Sequence, residues 1–504
     1  MRRRVTVLLT VIAVAAVTFE ATVWMLANPL AVYWDEASYY ASTVHFARLL
    51  RHSGLSHFGT AWHFDPFRPP ISLILPLPVA LLVPNSLLAM RIVSWIVFLA
   101  AALLIGATVR RVANAEAGAL AVMMLVASPV LVMSLKMFGT EYPLLLAIAG
   151  VLFFAFGTDS RRAWIGLGVS IGLGMLAKTS FAVIIVPLLI GRFLVSRSRG
   201  RDAAAVLLGG LIASTWWIAH AATAIRFVLH SREAVPHSLG PPADPHTFVR
   251  WCEAFARCVS GYGVLAAIVI TIALLLLRRR SIPPFTIATA ASSVLLLIAG
   301  YSGVNHNPRW LAPAVVLLIA AAASVARPIP LLIALVFAQV LAITIFHETA
   351  VARTYIWLGA TEVMEPAEQW DFHPVKVFVD RRAHIAAPRI ALMGAGYQLN
   401  PASIEEAWLR DGGDALSRTI WTDDYDLQRA VAYAATAQVV ITAPGYLGDP
   451  RDGASRVNVH NAEFAGALMQ SSLFDGPYTI DVGVNEKASV EVFLRRTRPP
   501  QNPR

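Results

Sequence analysis

Long apolar stretches separated by short arginine-bearing turns fill the first 346 residues of the chain. An apolar helix needs roughly 20 residues to cross the hydrocarbon core of a bilayer. Because stretches near that length recur, the pattern predicts about eleven membrane helices. We place them near residues 5–28, 87–109, 115–134, 138–157, 164–178, 181–195, 203–223, 259–277, 285–302, 310–326 and 328–346.

A proline-rich stretch, residues 69–84, lies between the first two of these helices and is also apolar. Proline removes a backbone donor and clashes with the preceding turn of a helix. Five prolines in this stretch therefore predict a broken or re-entrant segment rather than a straight crossing.

The positions of the arginines predict how the helices are oriented in the membrane. With the N-terminus in the cytoplasm, every short inward turn carries arginine, as the positive-inside rule requires; these residues are Arg110, Arg111, Arg161, Arg162, Arg197, Arg199, Arg201, Arg278, Arg279, Arg280 and Arg327. An odd number of spans then places the loops 29–86 and 224–258 and the C-terminus outside. We expect an integral protein of a bacterial cytoplasmic (inner) membrane.

The acidic residues divide the chain. It is 57% hydrophobic and 14% charged, and 20 of its 31 acidic residues follow position 346. This predicts a membrane region, residues 1–346, and an extracytoplasmic soluble domain, residues 347–504. The net charge of +10 comes largely from arginines at helix ends, so nucleic acid is not an expected partner.

The C-terminal region mixes strand-like and helical patterns, which predicts a small α/β or α+β domain. Gly394 and Gly396 follow one strand, but the third glycine of a dinucleotide fingerprint is missing. The predicted strands are Val375–Asp380, Arg389–Gly394, Gln438–Thr442, Tyr478–Val484 and Ser489–Leu494, and the predicted helices are Ser403–Arg410 and Leu427–Ala437.

Two adjacent carboxylates, Asp35 and Glu36, open the first outward loop. Apolar positions at helical spacing follow them, whereas Arg48, Arg51 and His52 fall on another face. The pattern predicts an amphipathic helix on the membrane surface. Asp35 suits an N-cap and a catalytic base equally well, and the two roles are compatible.

Basic residues recur at predicted outer helix ends. Arg68 precedes Pro69 and Pro70, Lys136 and Lys178 end apolar stretches, and Arg309 stands in an Asn-Pro-Arg-Trp turn. Each could bind a lipid phosphate, and each could equally anchor its helix at the interface. Glu141 lies near the predicted outer end of the fourth membrane helix. A carboxylate at this depth suggests a functional role, and the alternative is an ion pair with Lys136.

Histidines are frequent in the first outward loop, at positions 45, 52, 57 and 63. Their spacing matches no dedicated metal motif, so surface histidines are the simpler interpretation, and no metal or other cofactor is assigned. Cys252 and Cys258 share the second outward loop, where a disulfide and two separate thiols are both compatible with the sequence.

The order of these motifs resembles that of the GT-C glycosyltransferases, in particular the protein O-mannosyltransferase and lipid A aminoarabinose transferase group. The resemblance covers residues 1–346. It implies that Asp35 is the catalytic carboxylate and that Glu141 lies near it or near the acceptor. We count Glu36 and Glu141 with Asp35 as the expected catalytic residues. The resemblance also implies that the cations which bind the donor phosphate are Arg68, Lys178 and Arg309.

Further contacts with donor or acceptor are expected from Tyr39, His63, Asp65, Lys136 and His306. Phe67 occupies a place where some relatives have a metal-linked carboxylate, which leaves a divalent metal without support. By resemblance, the reaction inverts the anomeric centre of a sugar carried on a polyprenyl phosphate. The acceptor is a hydroxyl of a glycan, a lipid or a protein.

Simple chemistry agrees with this reaction. A phosphate leaving group needs cations rather than a protonating acid, so one carboxylate base suffices. A transporter or flippase of a lipid-linked glycan would instead need ionisable groups near the middle of the membrane, where Glu20 is the main acidic candidate. A non-catalytic glycan-binding membrane protein is the third alternative.

Overall fold

A computed structural model describes residues 2–31, 34–158, 162–234, 244–277, 281–302, 308–327, 329–345, 370–394, 399–420, 426–446, 458–484 and 487–496. Contacts divide the chain into two compact units. The first unit contains Met1–Ala27, Leu49–Val79 and Leu88–Ala360, and the second contains Asn28–Arg48, Ala80–Leu87 and Thr361–Arg504. The loop with Asp35 is therefore grouped with the C-terminal residues.

Helices dominate the described part of residues 2–345, and the apolar ones lie at the predicted positions. In chain order the helices are α1 (Arg2–Ala27), α2 (Trp34–Ser53), α3 (Phe58–Trp62), α4 (Ile71–Ile74), α5 (Leu77–Leu82), α6 (Leu87–Val112), α7 (Ala115–Val126), α8 (Pro129–Lys136), α9 (Glu141–Phe156), α10 (Ala163–Ala177), α11 (Phe181–Val195), α12 (Arg199–Ala234), α13 (Pro245–Ala254), α14 (Tyr262–Leu277), α15 (Pro284–Ser302), α16 (Ala312–Val325) and α17 (Ile329–Ile345). Helices α3 and α13 were not predicted, and α12 extends beyond the predicted 203–223 into the predicted loop 224–258.

Within the described residues, four helices are long and apolar enough to cross a membrane: α1, α6, α12 and α15. The number rises to six if each of two bent pairs, α7 with α8 and α13 with α14, forms one span. Shorter apolar helices account for the remaining predicted positions, so the exact count of eleven crossings stays a prediction. The proline-rich stretch is broken, as predicted, into α4 and α5.

The outer surface of the long helices is apolar. Phe19 in α1, Leu103 in α6 and Ile218 in α12 are 72%, 64% and 84% exposed. Large exposed apolar surfaces are avoided in water but are favourable against lipid tails. The chain is accordingly an integral membrane protein.

Close packing of α10 against α12 fixes the helix that precedes Lys178. Glycines 168 and 172 of α10 face Ala205 and Gly209 of α12 so closely that a Cβ on Gly168 would lie 2.8 Å from the Ala205 carbonyl oxygen. Small residues four apart let two membrane helices approach in this way. Larger side chains here would push α10 away from α12.

The described C-terminal residues form a five-stranded sheet with helices. In chain order the elements are α18 (His373–Ala383), β1 (Arg389–Met393), α19 (Pro401–Arg410), β2 (Leu416–Thr419), α20 (Leu427–Ala434), β3 (Val439–Thr442), α21 (Asn461–Gln470), β4 (Phe474–Asp481) and β5 (Ser489–Arg495). The strand order is β2-β1-β3-β5-β4, with β1 parallel to β2 and β3, and β5 antiparallel to β3 and β4.

This arrangement agrees with the predicted α/β or α+β class, and four of the five predicted strands are present. Two elements, β2 and α21, were not predicted from the sequence. One core lies on each side of the sheet: Val439 and Ile441 point to one, and Ala391 and Val440 to the other.

The predicted strand Val375–Asp380 is wrong, because these residues form part of α18. Its alternating valines suggested a strand, but Val375 and Val379 are also four residues apart and lie on one buried helix face. The Asp371 carboxylate accepts the backbone N–H of His373 at 2.9 Å, and Pro374 stands in the first turn. These two features start a helix rather than a strand.

Glu405 of α19 makes the stability of this domain depend on pH. Burial raises the pKa of its carboxyl to about 7, although the N–H of Ser417 donates to it at 2.7 Å. Because the folded-state pKa lies above the unfolded one, the folded form holds this proton more tightly. Its contribution is complete below about pH 4.5 and is lost as pH rises through about 7.

We therefore expect Glu405→Gln to stabilise the protein by about 3 kcal/mol at pH 8 and to change little at pH 4. The amide keeps an oxygen for Ser417 but carries no charge to desolvate. Thermal unfolding of the full-length protein at both pH values measures the difference. An equal effect of the substitution at pH 4 and pH 8 would contradict the assignment.

Candidate functional site

Glu141 gathers two cations at the start of α9. Its side chain is 1% exposed, and its Oε1 lies 3.0 Å from Lys178 Nζ and 3.5 Å from Arg309 Nε. The backbone N–H of Thr140 also donates to Oε2 at 3.1 Å. The first turn of a helix favours a carboxylate, and Glu141 lies within ion-pair distance of both cations. This group, the Glu141 cluster, unites three residues that the sequence singled out.

The two cations come from different turns of the chain. Lys178 directly follows α10, where it has an extended backbone, and Arg309 lies in a 3₁₀ turn, Pro308–Leu311, before α16. Lys178 Nζ also lies 5.1 Å from the centre of the Trp310 ring. One carboxylate and two cations leave a net positive charge, and arginine and lysine are the side chains that bind phosphates.

The segment that follows Arg68 packs beside this cluster. Helix α4 contacts both α9 and α10, and the Tyr142 hydroxyl donates to the Ser72 carbonyl at 2.7 Å. Arg68 itself is half-buried. Asp65 accepts the N–H groups of Phe67 at 2.7 Å and of Arg68 at 3.1 Å, so it shapes the turn that presents Arg68.

Lys136 pairs with Glu20 of α1, at 3.3 Å between Nζ and Oε1. Both side chains are buried. The Trp24 ring lies 4.3 Å from Lys136 Nζ and 5.1 Å from the guanidinium carbon of Arg91. The sequence suggested Glu141 as the partner of Lys136 and gave no sign of Trp24 or Arg91, since nothing in a linear pattern predicts which helices are neighbours.

Asp35 and Glu36 lie in the first turn of α2, in the second unit. Glu36 is fully buried and Asp35 is half-buried. The predicted apolar face is confirmed: Ala37, Tyr40, Ala41, Val44 and Ala47 are all buried, and so is Tyr39. Arg51 and His52 are exposed, as expected, whereas Arg48 donates to carbonyl oxygens of the C-terminal residues. Asp35 is thus the more accessible of the two carboxylates.

His63 and His220 face each other, with 3.0 Å between Nδ1 and Nε2. Within the described part of the chain, no group of three or more histidine, cysteine, aspartate or glutamate side chains could hold a metal ion. His306 lies outside the described residues. Cys252 is an exposed free thiol.

Residues 68–223 match the family described as dolichyl-phosphate-mannose-protein mannosyltransferase. No curated protein matches the sequence.

Two crystal structures of ArnT from Cupriavidus metallidurans are similar to the chain at 13% identity, and each comparison covers 96% of this chain and 97% of ArnT. The apo state has a TM-score of 0.60, and the complex with undecaprenyl phosphate has a TM-score of 0.59. The Archaeoglobus fulgidus oligosaccharyltransferase, in complex with zinc and sulfate, is similar at 12% identity with a TM-score of 0.51, over 95% of this chain and 73% of that one.

The chain therefore has an ArnT-like fold over nearly its whole length. The resemblance to the O-mannosyltransferase and aminoarabinose transferase group that the motif order predicted is confirmed. It extends beyond residue 346, because the ArnT comparison covers 96% of the chain, including a C-terminal part for which the sequence offered no match.

Proposed function

We propose that this protein is an inverting glycosyltransferase. It moves a sugar from a polyprenyl-phosphate donor to a hydroxyl acceptor on the outer side of the membrane. In this proposal the N-terminus is cytoplasmic and the C-terminal domain extracytoplasmic, which the arginine-bearing turns support. The acceptor is a glycan, a lipid or a protein.

The observation that carries the proposal is the Glu141 cluster in a chain with an ArnT-like fold. Lys178 and Arg309 are held side by side by one buried carboxylate. Two fixed cations suit a phosphate, which needs charge-assisted donors as its bond to the sugar breaks. ArnT has been crystallised with undecaprenyl phosphate, a lipid of the class that we propose here.

The proposed step balances without a cofactor. The acceptor oxygen attacks the anomeric carbon opposite the phosphate, and its proton passes to Asp35. The bond between the anomeric carbon and the phosphate oxygen breaks, and the electron pair leaves with the polyprenyl phosphate. Lys178, Arg309 and, from the neighbouring segment, Arg68 neutralise that charge. Glu141 keeps the cations in place, and Glu36 supports the turn that carries Asp35.

Glu20 was the basis of the transporter alternative. It forms a buried ion pair with Lys136, which is the last residue of α8 and so stands at the negative end of that helix. This pairing gives Glu20 a structural role and weakens the argument for transport.

Binding of undecaprenyl phosphate tests the role of the cluster. We expect Lys178→Met and Arg309→Met each to weaken its binding to full-length protein in nanodiscs by about tenfold or more, because each removes a charge-assisted contact. Native mass spectrometry of the lipid-bound fraction measures the change. Arg110→Gln is the control, because Arg110 lies in a turn that we predict to be cytoplasmic. This variant should bind undecaprenyl phosphate as the wild type does.

Unchanged binding in both variants would remove the cluster from the phosphate site. Equal weakening in Arg110→Gln would show that general attraction between arginines and an anionic lipid causes the effect. Transfer of sugar from extracted lipid-linked donors, measured in parallel, separates binding from catalysis.

A further inference from the structure

Helix α19 of the C-terminal domain is bonded to the chain on both sides of Asp35. On one side, the Glu406 carboxylate accepts the backbone N–H of Ala31, at 3.2 Å to Oε1 and 3.4 Å to Oε2. On the other side, the Arg48 guanidinium donates to the Leu409 carbonyl at 3.0 Å and to the Gly413 carbonyl. One short helix thus holds both ends of the segment that begins α2.

The contact of Arg48 is made with the C-terminal end of α19. The last carbonyls of a helix lack partners within it and carry the negative end of its dipole, so they attract a guanidinium. Gly412, with φ of +78°, turns the chain back and brings the Gly413 carbonyl to the same side. The Asn85 side-chain oxygen accepts a further bond from Arg48 at 3.0 Å. Because the guanidinium is planar and donates to three acceptors, these bonds fix the orientation of the Arg48 side chain.

The helix face between the two anchors is closed to water. Glu36, Ala37 and Tyr40 are fully buried, and Val44 is 2% exposed. Burial, reinforced by the nearby Glu406 carboxylate, raises the pKa of the Tyr40 phenol. Tyr40 therefore stays neutral and contributes packing rather than charge. Asp35, at the open end of this face, stays partly accessible.

We infer that the C-terminal domain positions Asp35, and that Glu406 and Arg48 are its positioning residues. The catalytic consequence of this inference rests on the proposed function, whereas the anchoring of α2 does not depend on it. A catalytic carboxylate misplaced by about 1 Å can lose a hundredfold in rate. The domain holds Asp35 through the backbone before it and the side chain of Arg48 after it.

Hydrogen–deuterium exchange on full-length protein in nanodiscs tests the anchoring. We expect Glu406→Ala and Arg48→Ala to raise amide exchange of residues 36–44 at least tenfold, while strands β1, β3 and β5 keep their protection. Glu406→Gln retains an acceptor for Ala31 and should restore most of that protection. Arg51→Ala, one turn further along the exposed face of α2, is the matched control and should exchange as the wild type does.

Sugar transfer provides the second measurement. Misplacement of the base should lower kcat by 10- to 100-fold while KM for the lipid-linked donor stays within twofold, since neither residue is proposed to touch the donor. If Arg48→Ala also exposes the strands, Arg48→Lys, which keeps the charge but not the planar fork, replaces it and should loosen residues 36–44 alone.

Unchanged exchange of residues 36–44 in the Glu406 and Arg48 variants would overturn the inference, whatever happens to kcat. Faster exchange with unchanged kcat, in a protein that Asp35→Asn inactivates, would overturn the positioning role as well. Faster exchange in a protein whose sugar transfer is also indifferent to Asp35→Asn would leave the anchoring in place and refute the proposed function instead.

Discussion

Asp35→Asn should lower the rate of sugar transfer by about 10²- to 10⁴-fold, the usual contribution of a positioned general base. Asparagine has nearly the same shape, but it cannot accept the proton of the acceptor hydroxyl. Because the donor phosphate is proposed to bind Lys178, Arg309 and Arg68 and not Asp35, undecaprenyl phosphate should bind to the variant as it binds to the wild type. The rate is measured on full-length protein, with lipid-linked donors extracted from a strain in which this protein has been deleted.

Asp481→Asn is the control for this substitution. Asp481 is exposed, and its oxygen accepts the Gly483 N–H at 3.2 Å, a bond that asparagine can also make. Its rate should equal that of the wild type. An Asp35→Asn variant that keeps half or more of the wild-type rate would exclude Asp35 as the base.

Glu141→Gln should destabilise the folded protein by about 3 kcal/mol, because removal of one partner from a buried ion pair leaves charge without compensation. Here two cations lose the same counter-charge, and Lys178 and Arg309 are only 19% and 7% exposed. Undecaprenyl phosphate should restore part of the lost stability, since its phosphate supplies negative charge at the same place. Thermal unfolding with and without the lipid measures both effects.

A double variant, Glu141→Gln with Lys178→Met, removes the excess charge and should recover stability without recovering lipid binding. Glu116→Gln, in the first turn of α7, is the control for loss of a carboxylate at a helix start. If Glu141→Gln unfolds at the wild-type temperature, the carboxylate does not hold the cations together.

The pattern of the chain predicted the positions of most apolar helices closely, because hydropathy is a local property and an apolar stretch in lipid has few alternatives to a helix. Helix α9, predicted at 138–157, is Glu141–Phe156, and α11, predicted at 181–195, is Phe181–Val195. The bend of 62° between α7 and α8 was not foreseen, although Pro129 stands at its hinge.

Local pattern failed where one arrangement of residues fits two structures. The valines of residues 375–379 alternate as in a strand and also repeat every four residues as on a helix. Burial of Val375 and Val379 against the sheet selects the helix. The short strand β2 carries no strong apolar run, so only its pairing with β1 identifies it.

Single residues of the candidate site could be proposed from their chemistry, since ionisable side chains are rare in apolar helices and often have a functional role there. Their grouping could not. Glu141 and Lys178 are 37 positions apart and Arg309 is farther still, and their meeting depends on how α9, α10 and α16 pack.

The same limit applies to the C-terminal domain. Arg48 looked like one more polar residue on a helix face, and its carbonyl partner at Leu409 lies 361 positions away. The chain alone predicts the helices and the residues able to do chemistry, because these follow from hydropathy, charge and spacing over a few turns. Which charges share a partner, and which domain holds Asp35, follows from packing between distant segments, which only the folded chain brings into contact.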